Sequence, residues 1–301
     1  MSFDANAHRE SSLENWQDAA AGWVRRQGAM RESAAPVSHW MVEAIAPQPG
    51  QRVLELAAGL GETALLAAEL VAPVGGVVIS DQAEAMLEGA RARAGELGLS
   101  NIEFQVLNAE WIDLPLASVD AVLCRWGYML MADPATALAE TRRVLRPGGA
   151  LALAVWDALD HNPWAQLPAQ ALAERGAAPA GAPASSGISA AAHGPAGPLE
   201  AATPGPFALA SSERVSTLLA DTGFTEIELD TIDVVRRHAS FEDFWETTLD
   251  LSRSFHDAVL ARPDEEIAEI RDALERLLAP YTDAAGALSV PGRTLVAAAR
   301  A

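Results

Sequence analysis

The chain has 301 residues, half of them hydrophobic, with a single cysteine and a formal net charge of −20. That length suits one large α/β domain with insertions or two smaller domains, and the lone Cys124 excludes an internal disulfide framework and a multi-cysteine metal site. With 41 acidic residues against 21 basic ones, the chain lacks the basic surface that phosphate contacts require, so no nucleic-acid partner is expected.

All of the basic residues are arginine, which rules out a lysine nucleophile or Schiff base. No apolar stretch approaches the length of a membrane span. The opening MSFDANAHRESS is polar and lacks the basic-then-apolar plan of a signal peptide. The expectation is a soluble cytoplasmic protein, and oligomeric state is not readable. His, Cys and carboxylate spacing points to no metal site.

The first 48 residues read as helical. Leu13, Trp16, Ala20, Trp23 and Val24 recur at helical spacing with Ser11 and Ser12 as available N-caps. His39, Trp40, Val42 and Ile45 continue a second helix up to the stop signal at Pro47 and Gly50. From Arg52 the pattern alternates, with strands expected at 52–57, 76–80, 102–106, 119–124 and 150–156. Helices fit 61–71, 83–97 and 134–146. The last is the best punctuated, with Asp133 as N-cap, Pro134 at its first position and Pro147-Gly-Gly beyond it. Such alternation implies a mostly parallel sheet with helices on both faces.

Residues 176–206 are nearly all Ala, Pro, Gly and Ser, a composition that cannot build a core and reads as a mobile loop. A helix over Ser211–Phe224 and a strand over Glu226–Arg236 follow. Ser240 and Asp243 form a capping-box pattern ahead of Phe244, Trp245 and Leu249, and Ile267, Ile270, Leu274 and Leu277 mark a second amphipathic helix. Thr294–Ala299 closes the chain as a last strand. Four parts result: a helical lid at 1–48, a nucleotide-binding core at 49–160, an Ala/Pro/Gly-rich loop at 161–210, and a remainder of the core at 211–301 with a helical insert at about 240–280.

The turn after the first strand concentrates the chemistry. Gly59 and Gly61 permit positive φ and close approach of a ligand to the main chain. Asp81 follows at the end of the second strand, where a carboxylate can bridge two ribose hydroxyls. This fingerprint alone fits a dinucleotide site equally well. Glu55 lies inside the first strand, where a charge is costly unless it meets a donor. Asn108-Ala109-Glu110 follows the third strand, where an amide can read an adenine edge.

In this order VLELAAGLG, VVISDQAEAML, LNAEWIDLP, SVDAVLCRWGYM and RVLRPGGALALAVW resemble the motifs of class I S-adenosylmethionine-dependent methyltransferases. The NAE triplet and the Arg-Trp-Gly segment resemble the ubiquinone/menaquinone methyltransferase branch and its small-molecule relatives. The resemblance covers about residues 50–157 well, and 211–236 and 294–299 more loosely. It implies a Rossmann-like, seven-stranded, mostly parallel α/β sheet with helices on both faces, a helical N-terminal lid and a helical insertion before the last strand. It also implies S-adenosyl-L-methionine as cofactor. Glu55 would orient its methionine end, Ala57, Gly59 and Gly61 would present backbone atoms, and Asp81 would bind the ribose with Gln82 beside the adenine. Asn108 and Ala109 would frame the adenine edge, and Arg125 would meet the cofactor. Ala57 stands where Gly is usual, and Asn108 replaces the commoner Asp.

Each residue also has a plainer reading. Glu55 could be satisfied by backbone amides, Asp81 could cap the following helix, and Cys124 reads as a small buried hydrophobe. Trp16, Trp23, Trp126, Trp156 and Trp164 fall near the expected rim, where they could wall a flat or apolar small-molecule acceptor or fill the core. His161 is the best-placed candidate base, against a surface loop histidine. Tyr128 could orient an acceptor hydroxyl or pack under the lid. Methyl transfer from a sulfonium needs alignment and exclusion of water more than a triad. The alternatives are a nicotinamide-dependent oxidoreductase and a non-catalytic S-adenosylmethionine-binding protein.

Overall fold

The computed structural model describes residues 3–174 and 203–301. Seven strands form one sheet in the order β3-β2-β1-β4-β5-β7-β6. Strands β1 (Arg52–Glu55), β2 (Gly76–Asp81), β3 (Ile102–Val106), β4 (Val119–Arg125) and β5 (Leu145–Trp156) run parallel. Strand β7 (Leu288–Arg300) is antiparallel to both β5 and β6 (Thr225–His238). The inner strands are near-continuous apolar runs because both sheet faces are covered, with Val53, Leu54, Val122 and Leu123 fully buried.

The order reverses between β1 and β4, since the chain goes from β1 outward to β3 and then returns. At such a switch point the loops after neighbouring strands diverge and leave a crevice at the strands' carboxyl ends. Helices α2 (Glu62–Val71), α3 (Glu84–Glu96) and α4 (Pro134–Val144) make the crossovers. Asp133 caps α4 as expected, accepting from the Thr136 N–H at 3.0 Å.

Three expectations need revision. The first 48 residues form one helix, α1 (Ala5–Ile45), which continues through Pro36; Asp4 caps it by accepting from the Asn6 and Ala7 N–H groups, so Ser11 and Ser12 lie inside it. The segment expected as loop from 161 opens with a helix, α5 (Pro163–Ala173). Pro163 starts it, and Leu167, Ala171 and Leu172 provide an apolar stripe. Most of the 176–206 expectation lies outside the described residues. Between the two amphipathic helices α7 (Phe241–Leu251) and α9 (Asp264–Leu278) stands a third, α8 (Arg253–Leu260), whose N-cap is Ser252.

Ser240 caps α7, and Asp243 reaches back to the Ala239 N–H at 3.1 Å, close to the expected capping box. Helices α5, α7, α8 and α9 pack with the start of β7 into a second apolar cluster around Phe244, Trp245, Ile270 and Leu274. Strand β6 follows α6 (Ser212–Asp221) and outruns the sheet. Its last residues pair only with the part of β7 that precedes Thr294, the partner of Trp156. That overhang and the second cluster raise a wall above the crevice, and α1 crosses over it.

Candidate active site

The β1–α2 turn holds its shape through three left-handed residues, Ala57 (φ 49°), Gly59 (φ 55°) and Gly61 (φ 76°). At Gly61 a Cβ would stand 3.1 Å from Ile79 Cδ1 and 3.3 Å from Ala90 Cβ, so glycine serves helix–strand packing there. At Gly59 a Cβ would meet nothing within 4 Å, which leaves that side of the backbone open. The Ala57 methyl takes space that Gly127 leaves: a Cβ at Gly127 would be 2.7 Å from Ala57 Cβ and from Cys124 Sγ. The unusual alanine is thus matched by a glycine on the neighbouring loop.

Asp81, at the end of β2, ties two loops together. Its Oδ2 accepts from the Gly59 N–H at 2.8 Å and its Oδ1 from the Ala83 N–H at 2.9 Å. Burial raises its pKa, against the pull of these N–H bonds. It therefore holds the N–H of Ala83, the residue that precedes α3, and also borders the cavity.

Glu55 sits behind the turn, fully buried, and does not border the cavity. Its Oε2 accepts from the Ala64 N–H at 2.9 Å, in the first turn of α2. Burial pushes its pKa from 4.5 up to about 7, opposed chiefly by the Arg125 charge and then by the Ala64 and Thr63 hydrogen bonds. The structure places it as a support for the turn, satisfied by a backbone amide. Gly61 likewise lies outside the cavity wall.

The cavity has a volume of about 380 Å³. Ala57, Gly59, Asp81, Gln82, Asn108, Ala109 and Arg125 all line it, together with Trp16, Trp23, Trp126, Trp156 and Trp164. Helix α1 closes one side. The Gln82 amide donates to Ser12 Oγ at 3.0 Å, and Arg9 pairs with Glu110, whose other oxygen accepts from the Ala132 N–H at 2.9 Å. Asn108 is exposed, and its Oδ1 accepts from the Glu110 N–H at 2.8 Å, holding the NAE turn in shape.

Arg125 points charge into this space. Its guanidinium lies 4.8 Å from the Trp126 ring centroid, and its Nε and Nη1 are buried without a hydrogen-bond partner among the described residues. Burial lowers its pKa, against the attraction of Glu55 and Glu62. Trp126 itself adopts a left-handed φ of 60° and stacks on Trp156 at 4.3 Å, with Trp164 tilted 4.8 Å beyond.

The two candidate catalytic residues are not in the cavity. His161 faces outward, with its Nδ1 2.6 Å from Asp157 Oδ2 and a side chain 45% exposed. Tyr128 is fully buried and hydrogen-bonds Thr141 Oγ1 at 2.7 Å, anchoring the loop after β4 to α4. Cys124 is also buried, its pKa pushed up to about 12 by desolvation, which makes it an inert packing residue. Among the described residues no cluster of three or more His, Cys, Asp or Glu could hold a metal ion.

The sequence reading missed Arg236, His238 and Asn162, and named Glu110 only as part of the NAE triplet. Arg236 and His238 come from the β6 overhang, and both line the cavity. Their two-residue spacing at the end of a strand pattern was the available signal. Asn162 is buried and locks Trp164 in place. Its Oδ1 accepts from Trp164 Nε1 at 2.9 Å and from the Arg293 N–H at 3.0 Å, while its Nδ2 donates to the Asp157, Ala158 and Arg293 carbonyls. Gly292 completes this seat, since a Cβ there would be 3.0 Å from Trp164 and from Asn162.

A Rossmann-like α/β sheet with a ligand crevice at its switch point, closed by a helical lid, defines the class. In comparison with known proteins, residues 47–187 match the model of a methyltransferase domain. Over that stretch the chain is similar to methyltransferase domains. Over 121 residues it is 36% identical to aklanonic acid methyltransferase DauC of Streptomyces sp. strain C5, covering 40% of this chain and 55% of that one. Over 111 residues it is 44% identical to the demethylmenaquinone methyltransferase of Deinococcus radiodurans, covering 37% and 45%. The chain spans about half the length of the curated relatives it matches.

The fold is similar to that of a putative methyltransferase from Bacillus halodurans, with a TM-score of 0.54 and 19% identity over 87% of this chain and 97% of that one. The YcgJ protein of Bacillus subtilis gives a TM-score of 0.52 at 17% identity with the same coverage. Among the described residues no helix is long and apolar enough to cross a membrane.

Proposed function

We propose that this protein transfers a methyl group from S-adenosylmethionine to a small-molecule acceptor with a flat, apolar body. The observation that carries this reading is the pairing, in one cavity of a chain similar to methyltransferase domains, of an open Gly59 turn and Asp81 with the unpartnered Arg125 guanidinium. The residues present fit the cofactor. Asp81 has acceptor lone pairs left for ribose hydroxyls, Asn108 and Ala109 stand where the adenine edge would lie, and the free N–H groups of Arg125 suit a carboxylate. When bound, the cofactor supplies an activated methyl group on a positively charged sulfur.

The chain's own work is placement and exclusion of water. Helix α1 shuts the cavity through the Arg9–Glu110 and Ser12–Gln82 contacts. Trp126, Trp156 and Trp164 form an aromatic wall against which a planar acceptor would pack. Alignment of this kind can supply about 7–11 kcal/mol of a barrier, enough to carry much of the acceleration without a catalytic triad.

Two relatives, an aklanonic acid methyltransferase and a demethylmenaquinone methyltransferase, support a small-molecule acceptor. The same proposal places the protein in the cytoplasm, consistent with an unpaired cysteine, and its acidity argues against nucleic acid as a substrate. The test is transfer of an isotope-labelled methyl group from S-adenosylmethionine across a panel of phenols, quinols and aromatic acids. Label should appear on at least one acceptor. Bound cofactor with no transfer to any of them would leave a binding protein instead.

A further inference from the structure

One wall of the cavity has no part in the cofactor site. Arg236 and His238 stand two residues apart on β6, so both project to the same face of that strand. The Arg236 guanidinium lies 3.6 Å from the centroid of Trp164 and 5.4 Å from that of Trp156. Among the described residues no oxygen accepts a hydrogen bond from it and no carboxylate pairs with it. Desolvation lowers its pKa to about 9, so it keeps its charge at neutral pH. A desolvated cation without an anion is costly, and its planar fork of N–H groups matches a carboxylate edge-on.

His238 is buried. Its Nδ1 faces Asp243 Oδ2 at 3.6 Å, and its Nε2 is buried with no partner. Burial pushes its pKa down to about 4; Asp243 pulls it up, while Arg236 and Arg26 push it further down. The imidazole is therefore neutral, with one N–H. With that hydrogen on Nδ1, toward Asp243, Nε2 keeps an unused lone pair, on a side chain that lines the cavity, able to accept from a hydroxyl. Phe244 closes the subsite edge-on to the imidazole at 5.0 Å, opposite the indole faces.

We propose that Arg236 and His238 form the acceptor-recognition subsite, and that the acceptor is a flat aromatic hydroxy acid whose carboxylate pairs with Arg236 and whose hydroxyl donates to His238 Nε2. The proposal rests on the methyltransferase reading for the role of the cavity, but the binding preference it asserts can be measured without turnover. A neutral ring would leave the guanidinium uncompensated. An aliphatic acid would lack the flat body that packs against an aromatic wall.

The test uses calorimetric titration of the full chain, saturated with S-adenosylhomocysteine, with 4-hydroxy-2-naphthoate, whose hydroxyl cannot bond its own carboxylate, 2-naphthoate and 2-naphthol. The hydroxy acid should bind at least about tenfold more tightly than the naphthol, the gain expected of one charge-assisted pair. Arg236→Gln should erase that preference, and Arg236→Lys, which keeps the charge without the fork, should retain only part of it. His238→Phe should erase the smaller preference for the hydroxy acid over 2-naphthoate. S-adenosylhomocysteine affinity should stay unchanged in all three variants. The proposal is overturned if none of the probes binds, if the naphthol binds as tightly as the acids, or if the preference survives Arg236→Gln. Should Arg236→Gln fail to fold, the wild-type ranking and Arg236→Lys decide. Failure of the wild type to bind S-adenosylhomocysteine would remove the cofactor reading instead, and the ranking measured without it would still judge the subsite.

Discussion

At the scale of single residues, Asp81 has the most to lose. Its carboxylate holds the Gly59 and Ala83 amides and faces the cavity with its remaining lone pairs. Asp81→Ala should weaken S-adenosylhomocysteine binding by about tenfold or more, the cost of a lost charge-assisted contact, as read by calorimetry. Glu55 behaves differently because it lies behind the turn. Its folded-state pKa of about 7 stands above its ordinary 4.5, so the folded state holds a proton that the unfolded state releases. The stability it contributes is fully present below pH 4.5 and is lost as pH rises towards 7, by about 3 kcal/mol at most. Urea unfolding across that window should show this fall, and Glu55→Gln should flatten it; an unchanged slope would contradict the assignment. Asn162 is a third case. Asn162→Ala strips partners from buried carbonyls and frees Trp164, and should cost about 2 kcal/mol or more by urea unfolding.

Among the elements, the contact between α1 and α7 decides how the cavity is closed. Arg26 bonds Asp250 at 2.6 Å, Asp243 at 3.0 Å and Glu246 at 3.1 Å, and Arg25 adds a second bond to Asp250. Between them Gly22 lets the helices touch, since a Cβ there would fall 2.3 Å from the Asp250 carbonyl oxygen. Gly22→Ala must push α1 away from α7, at a cost of about 1–3 kcal/mol. Hydrogen exchange of α1 should quicken in this variant while the β1–β4 amides stay protected; equal protection of α1 in both proteins would argue against a closing role.

The elements themselves were largely legible in the sequence, for a physical reason. Strands buried on both faces and helices bounded by Asp133-Pro134 or Ser240 carry their own punctuation. Helix α1 was read as two because its residues at helical spacing fall into two groups, Leu13 to Val24 and His39 to Ile45. The local pattern cannot show that neighbours on both sides hold the helix through the stretch between the two groups. Helix α5 was hidden by the Ala/Pro/Gly-rich composition downstream of it.

For the whole molecule, the part of the cavity built from strand ends was legible and the wall supplied by β6 was not. Asp81, Gln82, Asn108 and Arg125 follow directly on strand ends, so local order along the chain foretells their meeting at the switch point. Arg236 and His238 reach the cavity only because β6 outruns the sheet and the β6–β7 insert folds back over it. That placement is a long-range result of topology, invisible to spacing. His161 illustrates the converse: it follows β5 closely in sequence, yet its short turn directs it outward to Asp157.

The central claim is that the Gly59 turn and Asp81 hold S-adenosylmethionine. A calorimetric titration of the full chain with S-adenosylhomocysteine and, separately, with NAD tests it most directly. Saturable one-to-one binding of S-adenosylhomocysteine with no comparable NAD binding is the predicted result. Binding of NAD alone would contradict it and return the turn to the dinucleotide enzymes.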